Sequence, residues 1–191
     1  LGGLYAALAA GIPTVKINVV AMRGLNDGEM GDFLALSREL PITVRFIELM
    51  PFDAHQIWKT GRFLGVDQMR DRLLEQFPDL QAADGSATER LVFRCRDGQG
   101  KVALIPAYSR SICGSCNRIR ITADGQVRNC LYAAQEFDLM GTLRGGGTDG
   151  ELATALKAAM RQKPQDGWIA QKKTATGLNR FARQSMTLIG G

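Results

Sequence analysis

The sequence predicts an α/β fold, with a βαβ unit near the N-terminus and a small hairpin-rich α+β region after it. Three observations predict this. Thr14–Val20 (TVKINVV) and Thr43–Met50 (TVRFIELM) are β-prone runs separated by one helix-length segment, the spacing of a parallel crossover. Asp97-Gly98-Gln99-Gly100 and Asp124-Gly125 are turn sequences between short apolar runs and read as hairpins. All four cysteines, Cys95, Cys113, Cys116 and Cys130, follow a change of composition near residues 55–65. A soft boundary is expected at about residue 60, giving domains 1–60 and 61–191.

The elements follow in order. Leu4–Gly11 reads as the last turns of an amphipathic helix stopped by glycine. With no initiating Met, the chain looks like a piece of a longer protein. Lys16 and Asn18 alternate with apolar residues and give the first strand a polar face. Asp27 is placed to cap a helix over about 29–39, which Pro41 ends. Arg45 lies on the second strand, which Pro51 closes. Lys16, Asn18 and Met50 are then expected on or near one sheet face or rim. A helix over 66–77 stops at Pro78, and 79–89 reads as loop. Strands are expected at 90–94, 102–105, 118–123 and 126–130. Thr148-Asp149-Gly150-Glu151 is a capping box opening a helix over 152–161. Residues 165–191, polar and basic, read as an irregular tail. Gly145–Gly150 fits G-x-G-x-x-G literally, but it follows no strand and precedes an ordinary capped helix, so it is a loop.

Composition bounds the function. With 191 residues, 45% apolar and 23% charged, the chain is ordinary globular protein, which excludes collagen, coiled coil and wholesale disorder. The 22 glycines imply many turns or close backbone approaches. Net charge +5 and pI about 9.2 favour an anionic partner such as a nucleotide. No run of five like charges implies a polybasic arm. Leu1–Val15 is uncharged, but glycines and Pro13 break it and it is too short to span a bilayer; it also lacks the basic start of a signal peptide. A cytoplasmic protein with no membrane partner is expected.

The cysteines carry the chemistry. Cys113-Gly114-Ser115-Cys116 is a C-x-x-C turn that puts two thiolates within reach of one metal. A hairpin brings back Cys130, with thirteen residues between it and Cys116. Without a signal peptide this argues for metal, not disulfide. A fourth ligand would have to be Cys95 or His55, the only histidine; Cys95 reads as a buried strand residue and His55 as an ordinary loop residue. Three thiolates leave one position open, which suits catalytic zinc or a [4Fe–4S] cluster with one unligated iron. Arg118 and Arg120, two and four residues after Cys116, would share a face of a strand. They could offset cluster charge or bind phosphate, with Arg110 and Arg128 adding charge nearby.

VKINVV (15–20), RGLND (23–27), RFIELM (45–50), CGSCNRIRITADGQVRNCL (113–131) and MTLIGG (186–191) carry a family resemblance. Nearly end to end, the sequence resembles the C-terminal region of the MoaA family. These are GTP 3′,8-cyclases of molybdenum-cofactor biosynthesis and radical S-adenosylmethionine enzymes. The resemblance implies the C-terminal part of an incomplete (β/α)₆ TIM-like barrel, plus a C-terminal region carrying an iron–sulfur site. It implies a [4Fe–4S] cluster on Cys113, Cys116 and Cys130 whose open iron takes the guanine end of GTP. A second [4Fe–4S] cluster, on C-x-x-x-C-x-x-C, cleaves S-adenosylmethionine to a 5′-deoxyadenosyl radical; that motif is absent from these residues. The radical takes a hydrogen from ribose C3′, and guanine C8 is joined to that carbon, giving (8S)-3′,8-cyclo-7,8-dihydroguanosine 5′-triphosphate.

Residue by residue, Arg118, Ile119 and Arg120 match the family's GTP-binding stretch, and Lys16 its phosphate-binding lysine. Met50 matches a contact to S-adenosylmethionine. Arg45 and Asn18 match polar positions facing the barrel interior, without an assigned role. Gly190 and Gly191 match a tail thought to reach into the active site. The chain alone is expected to be inactive as a cyclase. The implied partners are GTP, S-adenosylmethionine and the downstream cyclic pyranopterin synthase, with no nucleic acid. Exposed strand edges of a partial barrel could be covered by a second copy, as a homodimer. Two readings compete: a zinc-stapled binding module for nucleic acid or protein, and another radical enzyme with an auxiliary cluster. Few aromatics near the cysteines weigh against the first, and three cysteines followed by Asn-Arg-Ile-Arg against the second.

Overall fold

The computed structural model describes residues 1–50, 60–85, 89, 91–109 and 113–176. They fall into two compact units, one formed by the described residues of 1–109 and the other by 113–176.

The first unit is a mixed α/β layer. Its elements are helix α1 (Gly2–Ala9), strand β1 (Val15–Ala21), helix α2 (Met30–Glu39), strand β2 (Ile42–Glu48) and helix α3 (Val66–Gln76), then strands β3 (Leu80–Ala82), β4 (Leu91–Cys95) and β5 (Lys101–Ile105). The sheet order is β1-β2-β5-β4-β3. β1, β2 and β5 run parallel, β4 is antiparallel to β5, and β3 is antiparallel to β4. The βαβ unit and the 97–100 hairpin therefore form as expected, and the hairpin's second strand extends the parallel sheet.

Alternation gives this sheet two unlike faces. Val19, Ala21, Ile42, Val44, Phe46, Val102, Leu104, Phe93 and Cys95 point to one side, where Met30 and Leu34 of α2 and Met69 and Leu73 of α3 complete an apolar core. Lys16, Asn18, Thr43, Arg45, Lys101 and Ala103 occupy the other face, with Asn18 opposite Arg45 in register. Gly100 is required where it stands. A Cβ there would lie 2.1 Å from the Ile42 carbonyl and 2.6 Å from that of Leu40, so only glycine lets this turn pack on the chain entering β2.

Several details depart from expectation. Asp27 does not cap α2; it accepts from Gly24 N at 2.7 Å and pairs with Arg72 Nη1 at 2.5 Å, so it closes its own loop and ties it to α3. The segment read as loop over 79–89 includes β3, whose edge pairing with β4 has no strong sequence signal in three residues. Glu48, buried at the end of β2, accepts from Val66 N at 2.9 Å, Tyr108 N at 2.9 Å and Ser109 N at 2.7 Å. One carboxylate thus satisfies the first amide of α3 and holds the chain leaving β5.

The second unit begins with a single 3-10 turn, Cys113–Ser115. Strands β6 (Arg120–Ile121), β7 (Gln126–Arg128) and β8 (Phe137–Asp138) form an antiparallel sheet in that order. Gly125, at φ +78°, makes the predicted Asp124-Gly125 turn. Helices α4 (Met140–Arg144), α5 (Asp149–Arg161) and α6 (Gly167–Thr176) follow. The capping box forms as predicted, with Glu151 N donating to Thr148 Oγ1 and Thr148 N to Glu151 Oε2. The expectation of an irregular tail is corrected over Gly167–Thr176, which is helical. Asp166 caps it, accepting from Ile169 N at 2.7 Å. No helix among the described residues is long and apolar enough to cross a membrane.

Candidate iron–sulfur site

In the second unit the thiols lie on two segments. Cys113 opens the 3-10 turn and Cys116 follows it, with Cys116 N donating to Cys113 O at 3.1 Å. Cys130 follows β7, where Asn129 is locked by its Nδ2 donating to Ala159 O at 2.7 Å. All three are free thiols, neither fully buried nor fully exposed.

Their surroundings are positive. Burial opposes ionisation of Cys116, but the Arg118 amide and guanidinium, with Lys163 and Arg118 charge, outweigh it and draw the thiol below its ordinary value. Burial pushes Cys130 up, against the amides of Tyr132 and Ala133 and the charge of Lys163. Cys113 lies close enough to Cys130 to oppose its ionisation further. Arg120 feels both Cys116 and Cys130; burial, then Arg118, weakens its hold on its proton, and the two thiols strengthen it. Unliganded, the site is thus a set of thiols whose charging each other's presence resists and neighbouring cations favour.

Three thiolates give a bound [4Fe–4S] cluster a net negative charge, which Arg118, Arg120 and Lys163 would offset, so the donor set fits such a group. No group of three His, Cys, Asp or Glu side chains among the described residues is arranged to hold a single metal ion. Residues 110–112, next to Cys113, and His55 lie outside the described residues.

The other expected residues are placed as follows. Arg118 is exposed and precedes β6, so it does not share a strand face with Arg120 as alternation suggested. The reason is a long-range contact: the Arg118 carbonyl accepts from Lys163 Nζ at 2.8 Å instead of joining the ladder. Ile119 is exposed and Arg120 half-buried. Arg128 is not free positive charge; its side chain is 1% exposed, pairs with Glu136 at 2.8 Å and donates to the Leu131 and Ala133 carbonyls.

In the first unit, Lys16 Nζ lies 3.0 Å from Glu89 Oε1 and Arg45 Nη1 lies 3.8 Å from the same oxygen. Arg45 Nε is buried without a hydrogen-bond partner among the described residues. Asn18 is exposed on the same face, and half-buried Met50 sits two residues past β2. Cys95 is 4% exposed in the core, and burial pushes its thiol up. Gly190 and Gly191 lie outside the described residues.

Sequence reasoning missed Glu48, Glu89 and Lys163. A carboxylate inside an apolar strand (RFIELM) and a lysine just past a helix C-terminus were the available signals. Glu89 had none, because its partners are distant in sequence.

The sheet order and the three thiols describe a mixed α/β protein with a candidate thiolate metal centre. The family described as Molybdenum Cofactor Synthesis C matches residues 42–168, and the chain belongs to it. It is 43% identical over 178 residues to a GTP 3′,8-cyclase of Chlorobaculum tepidum, covering 93% of this chain and 52% of that protein. It is 41% identical over 169 residues to a GTP 3′,8-cyclase of Desulforamulus reducens, covering 85% and 52%. Molybdenum cofactor biosynthesis protein 1 of Homo sapiens is 39% identical over 163 residues, covering 84% of this chain and 25% of that protein. The chain spans about half the length of the bacterial relatives it matches.

Proposed function

We propose that these residues are the substrate-binding half of a GTP 3′,8-cyclase, a radical S-adenosylmethionine lyase of molybdenum-cofactor biosynthesis. The observation that carries the reading is the set of three thiols, Cys113, Cys116 and Cys130, amid Arg118, Arg120 and Lys163. Family membership and the names of the relatives support it.

Cys113, Cys116 and Cys130 would hold a [4Fe–4S] cluster, which when bound supplies an iron open to a donor atom of guanine. Cys116, drawn below its ordinary value, ionises more readily than Cys130. Arg118, Ile119 and Arg120 bind GTP, with the guanidiniums meeting anionic oxygens and Ile119 offering an apolar contact. Lys16 meets the triphosphate as a point charge. Met50 contacts S-adenosylmethionine. The parallel strands β1, β2 and β5 belong to an incomplete (β/α)₆ barrel, with the polar sheet face as its lumen. Residues 1–60 contribute β1 and β2 to that barrel, β5 adds to it from within 61–191, and the cluster-bearing part begins at Cys113. Gly190 and Gly191 reach the active site. The protein works in the cytoplasm and hands its product to a cyclic pyranopterin synthase.

The chain alone has no radical-generating C-x-x-x-C-x-x-C motif and is inactive by itself. Anaerobic titration calorimetry with GTP tests the reading. Arg118→Ala with Arg120→Ala should weaken binding at least about tenfold with iron content intact. Unchanged affinity counts against their role.

A further inference from the structure

Lys163 lies two residues past the end of α5, where its amide donates to Met160 O at 3.0 Å. Its ammonium reaches back across the hairpin, and Nζ donates to Arg118 O at 2.8 Å and to Asn129 O. The first carbonyl is two residues after Cys116, and the second is one residue before Cys130. The β6–β7 pairing covers Arg120 with Arg128 and Ile121 with Val127, so both carbonyls lie beyond its end. There one ammonium, with three donors and no acceptor, joins the two strands where no ladder amide does.

Asn129 makes the arrangement reciprocal. Its side chain, 2% exposed, donates to Ala159 O in α5, while its carbonyl accepts from the lysine that follows the same helix. The end of α5 is therefore tied to the cysteine hairpin from both directions. Removing the ammonium would leave two carbonyls without this donor and would move the two thiol-bearing segments independently.

We infer that Lys163 is a positioning residue for the thiol site. It sets the spacing between the Cys116 and Cys130 segments and keeps one positive charge beside whatever those thiols hold. The inference rests on the reading of Cys113, Cys116 and Cys130 as holders of an iron–sulfur cluster. Charge near such a cluster sets its potential, because reduction adds negative charge.

The test compares the full chain with Lys163→Met and Lys163→Arg after anaerobic reconstitution with iron and sulfide. Three quantities are read: iron retained under chelator challenge, cluster midpoint potential, and melting temperature before reconstitution. Lys163→Met should lose iron about tenfold faster, the usual scale for a supporting residue. Its potential should move to more negative values, and Lys163→Arg should restore most of both. Retention and potential like the unsubstituted chain would overturn the inference. So would a lower melting temperature with potential and retention unchanged, which is a role in folding alone. If Lys163→Met does not fold, Lys163→Gln carries the test, since it keeps a donor without the charge: retention should hold while potential falls. If the unsubstituted chain takes up no four-iron cluster, the reading of the cysteines has failed, and that result is separate from any effect of Lys163.

Discussion

Lys16 and Glu89 form an ion pair with unequal shelter: the groups lie 3.0 Å apart, with the lysine side chain 34% exposed and the glutamate 5%. Arg45 shares the same carboxylate oxygen at 3.8 Å. Under the proposed role of Lys16 in holding the triphosphate, this carboxylate competes with a phosphate oxygen for the lysine. Glu89→Gln should raise triphosphate affinity a few-fold, because the incoming anion no longer displaces a charged partner. Calorimetry with GTP reads this; lower affinity would show that Glu89 orients the cations instead.

The same pair makes a stability prediction. Lys16→Met leaves the sheltered Glu89 carboxylate with a weaker cationic partner and should cost about 1–3 kcal/mol, more than Glu89→Gln. Urea denaturation of both variants and the double variant measures the difference. Equal costs would mean the pair is fully screened.

Arg128 and Glu136 predict a larger effect in the second unit. The guanidinium is nearly inaccessible and holds the 129–136 turn through two carbonyls as well as the carboxylate. Glu136→Gln strands a buried charge and should cost about 2–3 kcal/mol. Thermal melts check it, and a cost below ~0.5 kcal/mol, the scale of an ordinary surface substitution, would contradict the assignment.

Asp27 sets a pH dependence. The hydrogen bond from Arg72 outweighs burial and holds its carboxyl below the ordinary value. A depressed carboxyl stabilises the fold above its unfolded value of about 3.9, and that contribution is lost as pH falls through the folded value. The unsubstituted chain should therefore exceed Asp27→Asn in stability at neutral pH, and the gap should narrow below about pH 4. Denaturant titrations at several pH values read the gap, and a constant one contradicts the sign.

The thiols should differ in reactivity. Cys116 is drawn down and Cys130 pushed up, so at neutral pH the first carries more thiolate. Iodoacetamide labelling followed by mass spectrometry should find Cys116 modified before Cys130 in the unliganded chain. Cys130 reacting first would reverse the electrostatic picture.

How much of this was legible in sequence depended on the range of the interactions. The parallel β1–β2 pair and the Asp124-Gly125 turn were readable because alternation and turn chemistry are local. The capping box at Thr148 was readable for the same reason. β3 was not, since its partner β4 decides it. Asp27 and Arg118 were misplaced because Arg72 and Lys163, each 45 residues away, took over their local bonds. At the candidate site, the cysteines and arginines could be read from spacing, whereas Lys163 and Glu89 act through contacts visible only in the folded chain.

EPR of the reduced, anaerobically reconstituted chain with and without GTP tests whether the three thiols hold a cluster that GTP reaches. A four-iron signal that changes on adding GTP is the predicted result. One tightly held zinc with no cluster, or a cluster signal indifferent to GTP, would contradict it.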